Sequence, residues 1–208
     1  MKYPQSRIMV FAKAPEPGRV KTRLIPMLGK REAARLHARF VDNTLAMACG
    51  SGLSPVELWC SPSIDAGFFR DCARRFDITL QQQSPGDLGQ RMHRAFRDTL
   101  ARTRSAVLVG ADCPGLCAAD LAEALDALDR GADAVLGPAR DGGYYLVGLK
   151  QAYPHLFDDL EWGSPTIFAD TLKRLADRDM DYHCLAERED VDVPEDYQRL
   201  VEEAARRG

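Results

Sequence analysis

The loop at residues 12–24 is rich in cationic side chains. Besides Gly18, which allows close approach of the backbone, it contains Lys13, Arg19, Lys21 and Arg23. Such a loop can surround a polyphosphate through charge-assisted hydrogen bonds. Its spacing is neither that of a Walker loop nor Gly-x-Gly-x-x-Gly. The loop therefore predicts a phosphate site of another kind, and the alternative is a basic surface loop that leads into a helix.

Two acidic segments offer oxygen ligands for a metal ion. Asp112 follows a continuous apolar run, and Asp192 lies in the segment Asp-Val-Asp-Val-Pro-Glu-Asp at residues 190–196. Mg²⁺ and Mn²⁺ prefer oxygen ligands. We expect the two carboxylates to lie on facing loops, close enough to share one ion. The alternatives are a turn or capping role for Asp112 and helix capping by the acidic segment.

A third carboxylate stands beside two glycines. The sequence Asp141-Gly142-Gly143 is first of all a hairpin turn. In the functional interpretation, Asp141 faces an acceptor and orients it or takes its proton, while the glycines leave room for it. An asparagine would serve the turn equally well, so the Asp141→Asn variant separates the two interpretations.

These loops lie between alternating strands and helices. Apolar runs predict strands at Arg7–Ala12, Val56–Cys60, Ile78–Gln82, Ala106–Gly110, Ala134–Leu136, Tyr144–Leu149 and Tyr182–Leu185. Apolar positions spaced by three and four predict helices near 30–48, 65–75, 88–103, 118–129 and 164–177, and at Pro194–Arg206. The alternation predicts an α/β fold, a three-layer α/β/α arrangement around a mostly parallel, Rossmann-like sheet. We expect residues 1–208 to form a single domain, with ligands at the carboxyl ends of its strands.

Composition and charge exclude several classes of protein. The 208 residues are 45% hydrophobic and carry a formal net charge of −3, which is typical of a globular protein. No apolar run reaches the ~20 residues of a membrane helix, and residues 1–7 do not resemble a signal peptide. We therefore expect a cytoplasmic protein with no membrane partner. The near-neutral total also argues against nucleic acid as a partner.

The charge is nevertheless uneven, and the nucleophilic residues are scattered. The net charge is +7 over residues 1–50 and −8 over residues 177–203, so the basic start and acidic end could meet at one cleft.

The six cysteines form no Cys-x-x-Cys pair and are interpreted as reduced thiols, with a redox or zinc site at Cys113 and Cys117 as the alternative. We interpret His37 and His93 as surface positions of helices.

Four motifs occur in order along the chain. They are Ala-Lys-Ala-Pro-x-Pro-Gly-x-x-Lys-Thr-Arg-Leu, Gly-x-Asp-x-Pro-x-Leu, Gly-Pro-x-x-Asp-Gly-Gly-Tyr-Tyr-Leu-x-Gly-Leu and Asp-x-Asp-x-Pro-Glu-Asp. Together they resemble the radical-SAM/selenodomain-associated transferase family from about Ile8 to Tyr197. The resemblance implies the nucleotide-diphospho-sugar transferase superfamily and its glycosyltransferase-A type fold. It also implies kinship with the molybdenum cofactor and phospholactate guanylyltransferases.

The resemblance assigns a role to each site residue. It implies that the donor nucleotide binds at Ala12, Lys13, Gly18, Lys21, Arg23, Gln90 and Arg91. It implies Mg²⁺ or Mn²⁺ at Asp112 and Asp192, and the acceptor at Gly142, Gly143, Tyr144 and Trp162. Lys21, Arg23 and Asp141 are the implied catalytic groups, the two cations stabilising charge on the leaving phosphate. The sequence Lys13-Ala14-Pro15 stands where the superfamily has a glycine pair, so the base of the nucleotide stays open.

Three hypotheses follow for the function. Family members include both glycosyltransferases and nucleotidyltransferases, so the protein transfers either a sugar from a nucleotide sugar or a nucleotide from an NTP. The third hypothesis is a non-catalytic nucleotide-binding module, which the retention of Asp112 and Asp192 disfavours. The expected partners are a nucleotide donor and a small-molecule acceptor, bound to a monomer or small homo-oligomer. We expect Lys21 and Arg23 to be exposed, so that replacing both by alanine abolishes nucleotide binding without unfolding the protein.

Overall fold

One seven-stranded sheet organises the chain. The computed structural model describes residues 1–207, with strands β1 (Ser6–Lys13), β2 (Val56–Ser61), β3 (Ile78–Gln82), β4 (Ser105–Gly110), β5 (Ala134–Pro138), β6 (Tyr144–Leu149) and β7 (Tyr182–Cys184). Their order in the sheet is β3-β2-β1-β4-β6-β5-β7. Neighbouring strands are parallel except at β6, which is antiparallel to both β4 and β5. The prediction of a mostly parallel sheet is confirmed.

Residues 1–207 form six α-helices, and the first five cover the two faces of the sheet. They are α1 (Ile25–Gly50), α2 (Gly67–Arg75), α3 (Leu88–Leu100), α4 (Ala118–Arg130), α5 (Ile167–Ala176) and α6 (Pro194–Arg207). Buried side chains of α1, α2 and α4 share one core cluster, and those of α3 and α5 share another. The predicted three-layer arrangement is therefore confirmed.

The residues of β1 show how the strands separate these two cores. Ile8 and Val10 are buried against α1, α2 and α4, whereas Met9 between them is buried against α3. Successive side chains of a strand point to opposite faces of its sheet, and each such burial contributes roughly 1.5–3 kcal/mol. A strand covered on both faces is apolar throughout, and this explains why β1 and β4 are recognisable in the sequence.

Several element boundaries differ from the sequence prediction. Helix α1 begins at Ile25, before the expected position 30, but Gly29 interrupts it with a φ of 76°. Only a residue without a Cβ adopts this conformation easily, and the regular helix follows it. Helix α3 ends at Leu100 rather than at 103, and β7 ends at Cys184 rather than at Leu185. None of the helices of residues 1–207 has the length and apolar character required to span a membrane.

The segment that precedes α6 returns to the middle of the sheet. The backbone N–H of Val191 donates a hydrogen bond to the carbonyl oxygen of Asp112, at 3.0 Å. The Val191 side chain is buried with Leu24, Leu36 and Phe40. This packing brings the acidic end of the chain against its basic start.

Candidate active site

A cleft opens where the order of the strands reverses. The strands β2 and β3 continue the sheet on one side of β1, and β4 begins the other side. Ligands of open α/β sheets bind at the carboxyl ends of the strands at such a position. A cavity of about 460 Å³ lies there, and its charged lining consists of Lys13, Arg19, Lys21, Arg23, Arg91, Asp112 and Asp192.

Lys21 lies at the centre of this charged lining and is buried. Only 2% of its side chain is exposed, and its Nζ is 2.8 Å from Asp112 Oδ1 and 3.8 Å from Asp192 Oδ1. The same Nζ donates a hydrogen bond to the carbonyl oxygen of Val191, at 2.7 Å. The backbone of Lys21 is left-handed, with a φ of 46°, which is uncommon for a residue other than glycine. The expectation that Lys21 is an exposed cation is therefore wrong.

Asp112 lies against Lys21 and His37. Its Oδ1 is buried and lies 2.8 Å from Lys21 Nζ and 3.4 Å from Nδ1 of His37. Burial alone would raise the pKa of Asp112, but the contacts with His37 and Lys21 lower it to about 2. Asp112 is therefore ionised at neutral pH, and it faces the cleft rather than capping a helix.

His37 belongs to the site, although the sequence places it on a helix surface. It is a buried residue of α1 and lines the cleft, with its Nε2 3.0 Å from the carbonyl oxygen of Lys13. The surface interpretation of His37 is wrong, because His37 lies on the buried face of α1, four residues after Ala33 and three before Phe40. His93 is also not a fully exposed position, since its ring stacks on Phe157 at a centroid distance of 6.1 Å.

The other cations of the first loop are exposed. Arg23, with 70% of its side chain exposed, binds Asp192 Oδ2 through its Nη1 at 2.7 Å. Arg19 pairs with Glu16 at 3.2 Å, and Lys13 is exposed at the carboxyl end of β1. These side chains remain accessible to a ligand, unlike Lys21.

Arg91 reaches the cleft from α3. Burial lowers its pKa below the ordinary arginine value. Its Nη1 donates to Oε1 of Gln83 at 3.1 Å, and Gln83 in turn donates to the carbonyl oxygens of Ala12 at 3.3 Å and Trp59 at 2.7 Å. Gln83 is a positioning residue that the sequence analysis missed. It is recognisable only as a buried glutamine just after β3, which sequence alone does not reveal.

The remaining residues assigned to the donor are divided between cleft and periphery. Ala12 lines the cleft beside Lys13. Gln90 lies outside the cleft lining, because its side chain accepts from the Asp87 backbone and completes the cap of α3. Gly18 also lies outside that lining, and a Cβ there would contact the Lys30 side chain at 3.6 Å.

The carboxylates facing the cleft fit a divalent cation of the Mg²⁺ type. Residues 1–207 contain no group of three or more His, Cys, Asp or Glu that could hold a metal ion. Mg²⁺, however, is usually held by one or two carboxylates together with substrate phosphates. Asp112 and Asp192 provide two carboxylates on facing loops, both drawn toward Lys21. The donor set therefore suits an ion that also binds a substrate phosphate.

A second cavity of about 260 Å³ adjoins the cleft, and we call it the acceptor cavity. It shares Leu88, Gly110 and Asp112 with the cleft. Among the residues assigned to the acceptor, Gly143, Tyr144 and Trp162 line it. The rings of Tyr144 and Trp162 meet edge to face at a centroid distance of 6.2 Å.

Gly142 has a packing role instead. A Cβ on Gly142 would lie 2.0 Å from the carbonyl oxygen of Pro165, and its φ is 90°. Its own carbonyl oxygen accepts a hydrogen bond from the backbone of Phe168 at 2.9 Å. The space beside Gly142 is filled by the chain itself, and Gly142 anchors the segment that leads into α5.

We expect Gly142→Ala to destabilise the protein by about 2–4 kcal/mol, from the left-handed backbone and the clash with Pro165. Equilibrium urea unfolding measures this change. Gly67→Ala is the matched control, because a Cβ there meets no heavy atom within 4 Å and its φ is not positive. Equal stability of the two variants would contradict the assigned contact.

Two further carboxylates stand at the mouth of the acceptor cavity. Asp141 is exposed, and its Oδ1 accepts a hydrogen bond from the Gly143 backbone at 2.9 Å, so it serves the turn while it lines the cavity. Asp190 lines the same cavity, and burial together with repulsion from Asp141 and Asp192 raises its pKa to about 6. No role for Asp190 follows from the sequence pattern alone.

The fold and the position of the cleft define the class of protein. The architecture is that of the nucleotide-diphospho-sugar transferases, whose solved structures superpose on nearly the whole chain. The sequence matches, over residues 44–164, the family described as an uncharacterized protein conserved in bacteria (DUF2064), and the chain belongs to this family. No curated protein matches the sequence.

Three solved structures illustrate the similarity. A protein from Desulfovibrio desulfuricans G20, provisionally described as a nucleotide-diphospho-sugar transferase, is 31% identical with a TM-score of 0.82, over 91% of this chain and 83% of that one. CMP:2-keto-3-deoxy-manno-octonic acid synthetase complexed with CTP is 11% identical with a TM-score of 0.61, over 98% and 100% of the chains. Rv0371c from Mycobacterium tuberculosis H37Rv, in complex with manganese, is 18% identical with a TM-score of 0.54, over 95% and 98%.

Proposed function

We propose that the protein is a metal-dependent transferase that uses a nucleotide or nucleotide-sugar donor and a small-molecule acceptor. The observation that carries the proposal is the charge of the cleft, where five cationic side chains surround two carboxylates at the switch point of the sheet. A polyphosphate needs this density of cations to offset its own charge. The nucleotide-utilising transferases of the same fold support the proposal.

The donor phosphates bind at the cations that can still turn to a ligand. Lys13 is exposed at the end of β1, and Arg91 is fixed by a neutral side chain, Gln83, rather than by a carboxylate. A partly desolvated guanidinium of this kind binds phosphate strongly, because little water must be displaced from it. Arg23 is exposed enough to bind phosphate while it stays paired with Asp192.

Asp112 and Asp192 hold Mg²⁺ or Mn²⁺ in this proposal. When bound by these carboxylates, such an ion would offset phosphate charge and favour alignment of the phosphate with the attacking group. The buried Lys21 ammonium holds the two carboxylates in position. Arg23 supplies positive charge where the phosphate group leaves. The manganese complex of Rv0371c, which has the same fold, is in keeping with this assignment.

The acceptor binds beside Asp141, in the acceptor cavity. Asp141 uses one oxygen for its own turn, and its carboxylate orients the acceptor or takes its proton. The group transferred is either the sugar of a nucleotide sugar, released from a nucleoside diphosphate, or the nucleotide of an NTP, released from pyrophosphate.

Calorimetric titration of the protein with a panel of NTPs and nucleotide sugars, with Mg²⁺ or Mn²⁺, tests the proposal. At least one nucleotide is expected to bind, and more tightly with the metal than without it. Failure of every nucleotide to bind would contradict the proposed function.

We expect Arg91→Ala to weaken binding of that nucleotide by about 10–100-fold, since it removes a charge-assisted contact worth roughly 1.5–3 kcal/mol. Arg97→Ala is the matched control on the same helix, because Arg97 is exposed and pairs with Asp98. The same calorimetric titration measures both variants. An unchanged affinity of the Arg91 variant would move the donor site away from this cleft.

A further inference from the structure

The acceptor cavity differs from the donor cleft in charge. Three of its lining residues are carboxylates, Asp112, Asp141 and Asp190, and its lining includes no lysine or arginine within the part of the chain described. The cleft beside it has five cationic side chains. The two halves of the site are therefore built for ligands of opposite character.

Cations near this cavity are already engaged by other carboxylates. Arg140 binds Glu189, and Arg199 pairs with Glu189 at 3.1 Å and with Asp196 at 2.6 Å. Arg23 pairs with Asp192. These pairs surround a neighbouring cavity that shares Asp141 and Asp190 with the acceptor cavity. Asp112 is paired with Lys21, whereas Asp141 and Asp190 have no ion-pair partner among residues 1–207.

The rest of the wall is aromatic and uncharged. Trp162 is half-buried, stacks on Phe157 at a centroid distance of 6.4 Å and meets Tyr144 edge to face. Burial raises the pKa of the Cys113 thiol to about 11, so its sulfur is neutral. The hydroxyl group of Tyr144 is buried beside Thr171, so Tyr144 contributes its ring to the wall.

We infer that the acceptor is a sugar-like polyol that carries no phosphate or carboxylate group. The inference rests on the proposed function and specifies its acceptor. Carboxylates accept hydrogen bonds from hydroxyls, and an aromatic face packs against the apolar face of a sugar ring. An anionic acceptor would instead face two carboxylates even when a divalent ion offsets the charge of Asp112, and juxtaposed like charges are strongly unfavourable.

Matched pairs of compounds test this inference on the protein of residues 1–208. Glucose against glucose 6-phosphate, glycerol against glycerol 3-phosphate, and myo-inositol against inositol 1-phosphate differ only in the phosphate. Ligand-observed NMR, with Mg²⁺ present, measures their binding. We expect at least one neutral member to bind about tenfold or more tightly than its phosphate ester.

Two variants assign that binding to the acceptor cavity. Trp162→Ala is expected to weaken the neutral member by about tenfold, through loss of the aromatic contact. The double variant Asp141→Asn, Asp190→Asn keeps the size of the cavity and is expected to reduce the preference over the phosphate ester by about tenfold. If Trp162→Ala fails to fold, the double variant tests the assignment on its own.

Equal or tighter binding of the phosphate esters, dependent on Trp162, would overturn the inference. The inference would also be overturned if no neutral compound showed binding that depends on Trp162. The same holds if the double variant left the preference for the neutral compound over its phosphate ester unchanged. Phosphate esters that bind in the donor cleft are recognised by their loss in Arg91→Ala. The calorimetric titration with nucleotides fails or succeeds independently, so it separates an error in the acceptor from an error in the proposed function.

Discussion

Lys21→Met is expected to lower the free energy of unfolding by about 2–3 kcal/mol, or the melting temperature by about 4–12 °C. The change removes the buried ammonium and leaves Asp112 and Asp192 without the cation that lies against both. The expected cost is below the ~3–5 kcal/mol of a fully buried pair, because 47% and 42% of these two side chains are exposed. Urea and thermal unfolding in metal-free buffer measure it.

The matched control is the neighbouring Arg23→Ala. That side chain is 70% exposed and pairs with Asp192 alone, so its loss costs at most about 1 kcal/mol. Adding Mn²⁺ or Mg²⁺ is expected to stabilise Lys21→Met more than the parent protein, since Asp112 then lacks its cation and Asp192 keeps only Arg23. If Lys21→Met and Arg23→Ala lower the free energy of unfolding by the same amount, the bridging role of Lys21 is refuted.

Asp141→Asn is expected to reduce kcat/KM by about 10²–10⁴, the range for removal of a positioned acid–base group. The substitution leaves an oxygen that can accept from the Gly143 backbone, so the turn is preserved and the loss reports on the carboxylate. Donor affinity is expected to stay nearly constant, because the proposed phosphate site is the adjoining cleft, which Asp141 does not line. Steady-state kinetics with the identified substrates, together with nucleotide titration, measure the two effects separately.

Asp129→Asn is a suitable control, because Asp129 is an exposed carboxylate on α4. It is expected to leave both parameters unchanged. Near-normal turnover of Asp141→Asn would return Asp141 to the role of a turn former.

The strands and most helices could be predicted because local patterns are enough to define them. β1 and β4 are continuous apolar runs buried on both faces, and α3 has a capping box at Asp87 that marks its start. Asp-Gly-Gly is a preferred turn sequence, so it predicts the hairpin of β5 and β6. The antiparallel β6 is part of this hairpin, and a mostly parallel sheet accommodates one such strand.

The arrangement within the site could not be predicted, because it depends on contacts between distant segments. The buried Lys21 ammonium donates a hydrogen bond to the carbonyl oxygen of Val191, which lies 170 positions away in the sequence. His37 lies on the buried face of α1 between Ala33 and Phe40, but only the fold places Asp112 and the Lys13 carbonyl oxygen against its ring. The contact of Gly142 with Pro165 is equally invisible in sequence, since a glycine that admits a ligand looks the same as one that admits the backbone.

The hydrogen bond between the Val191 backbone and Asp112 has a consequence for the folding of the protein during its synthesis on the ribosome. N-terminal regions fold first during synthesis, and β1 to β4 can pair before the last tenth of the chain has emerged. Until residues 190–192 arrive, the ammonium of Lys21 has only Asp112 as an anionic partner among the contacts that define the site. The proposed site is therefore assembled only after residues 190–192 have docked on the sheet. Before that, a growing polypeptide would lack Asp192, one of the two carboxylates proposed to bind the metal ion.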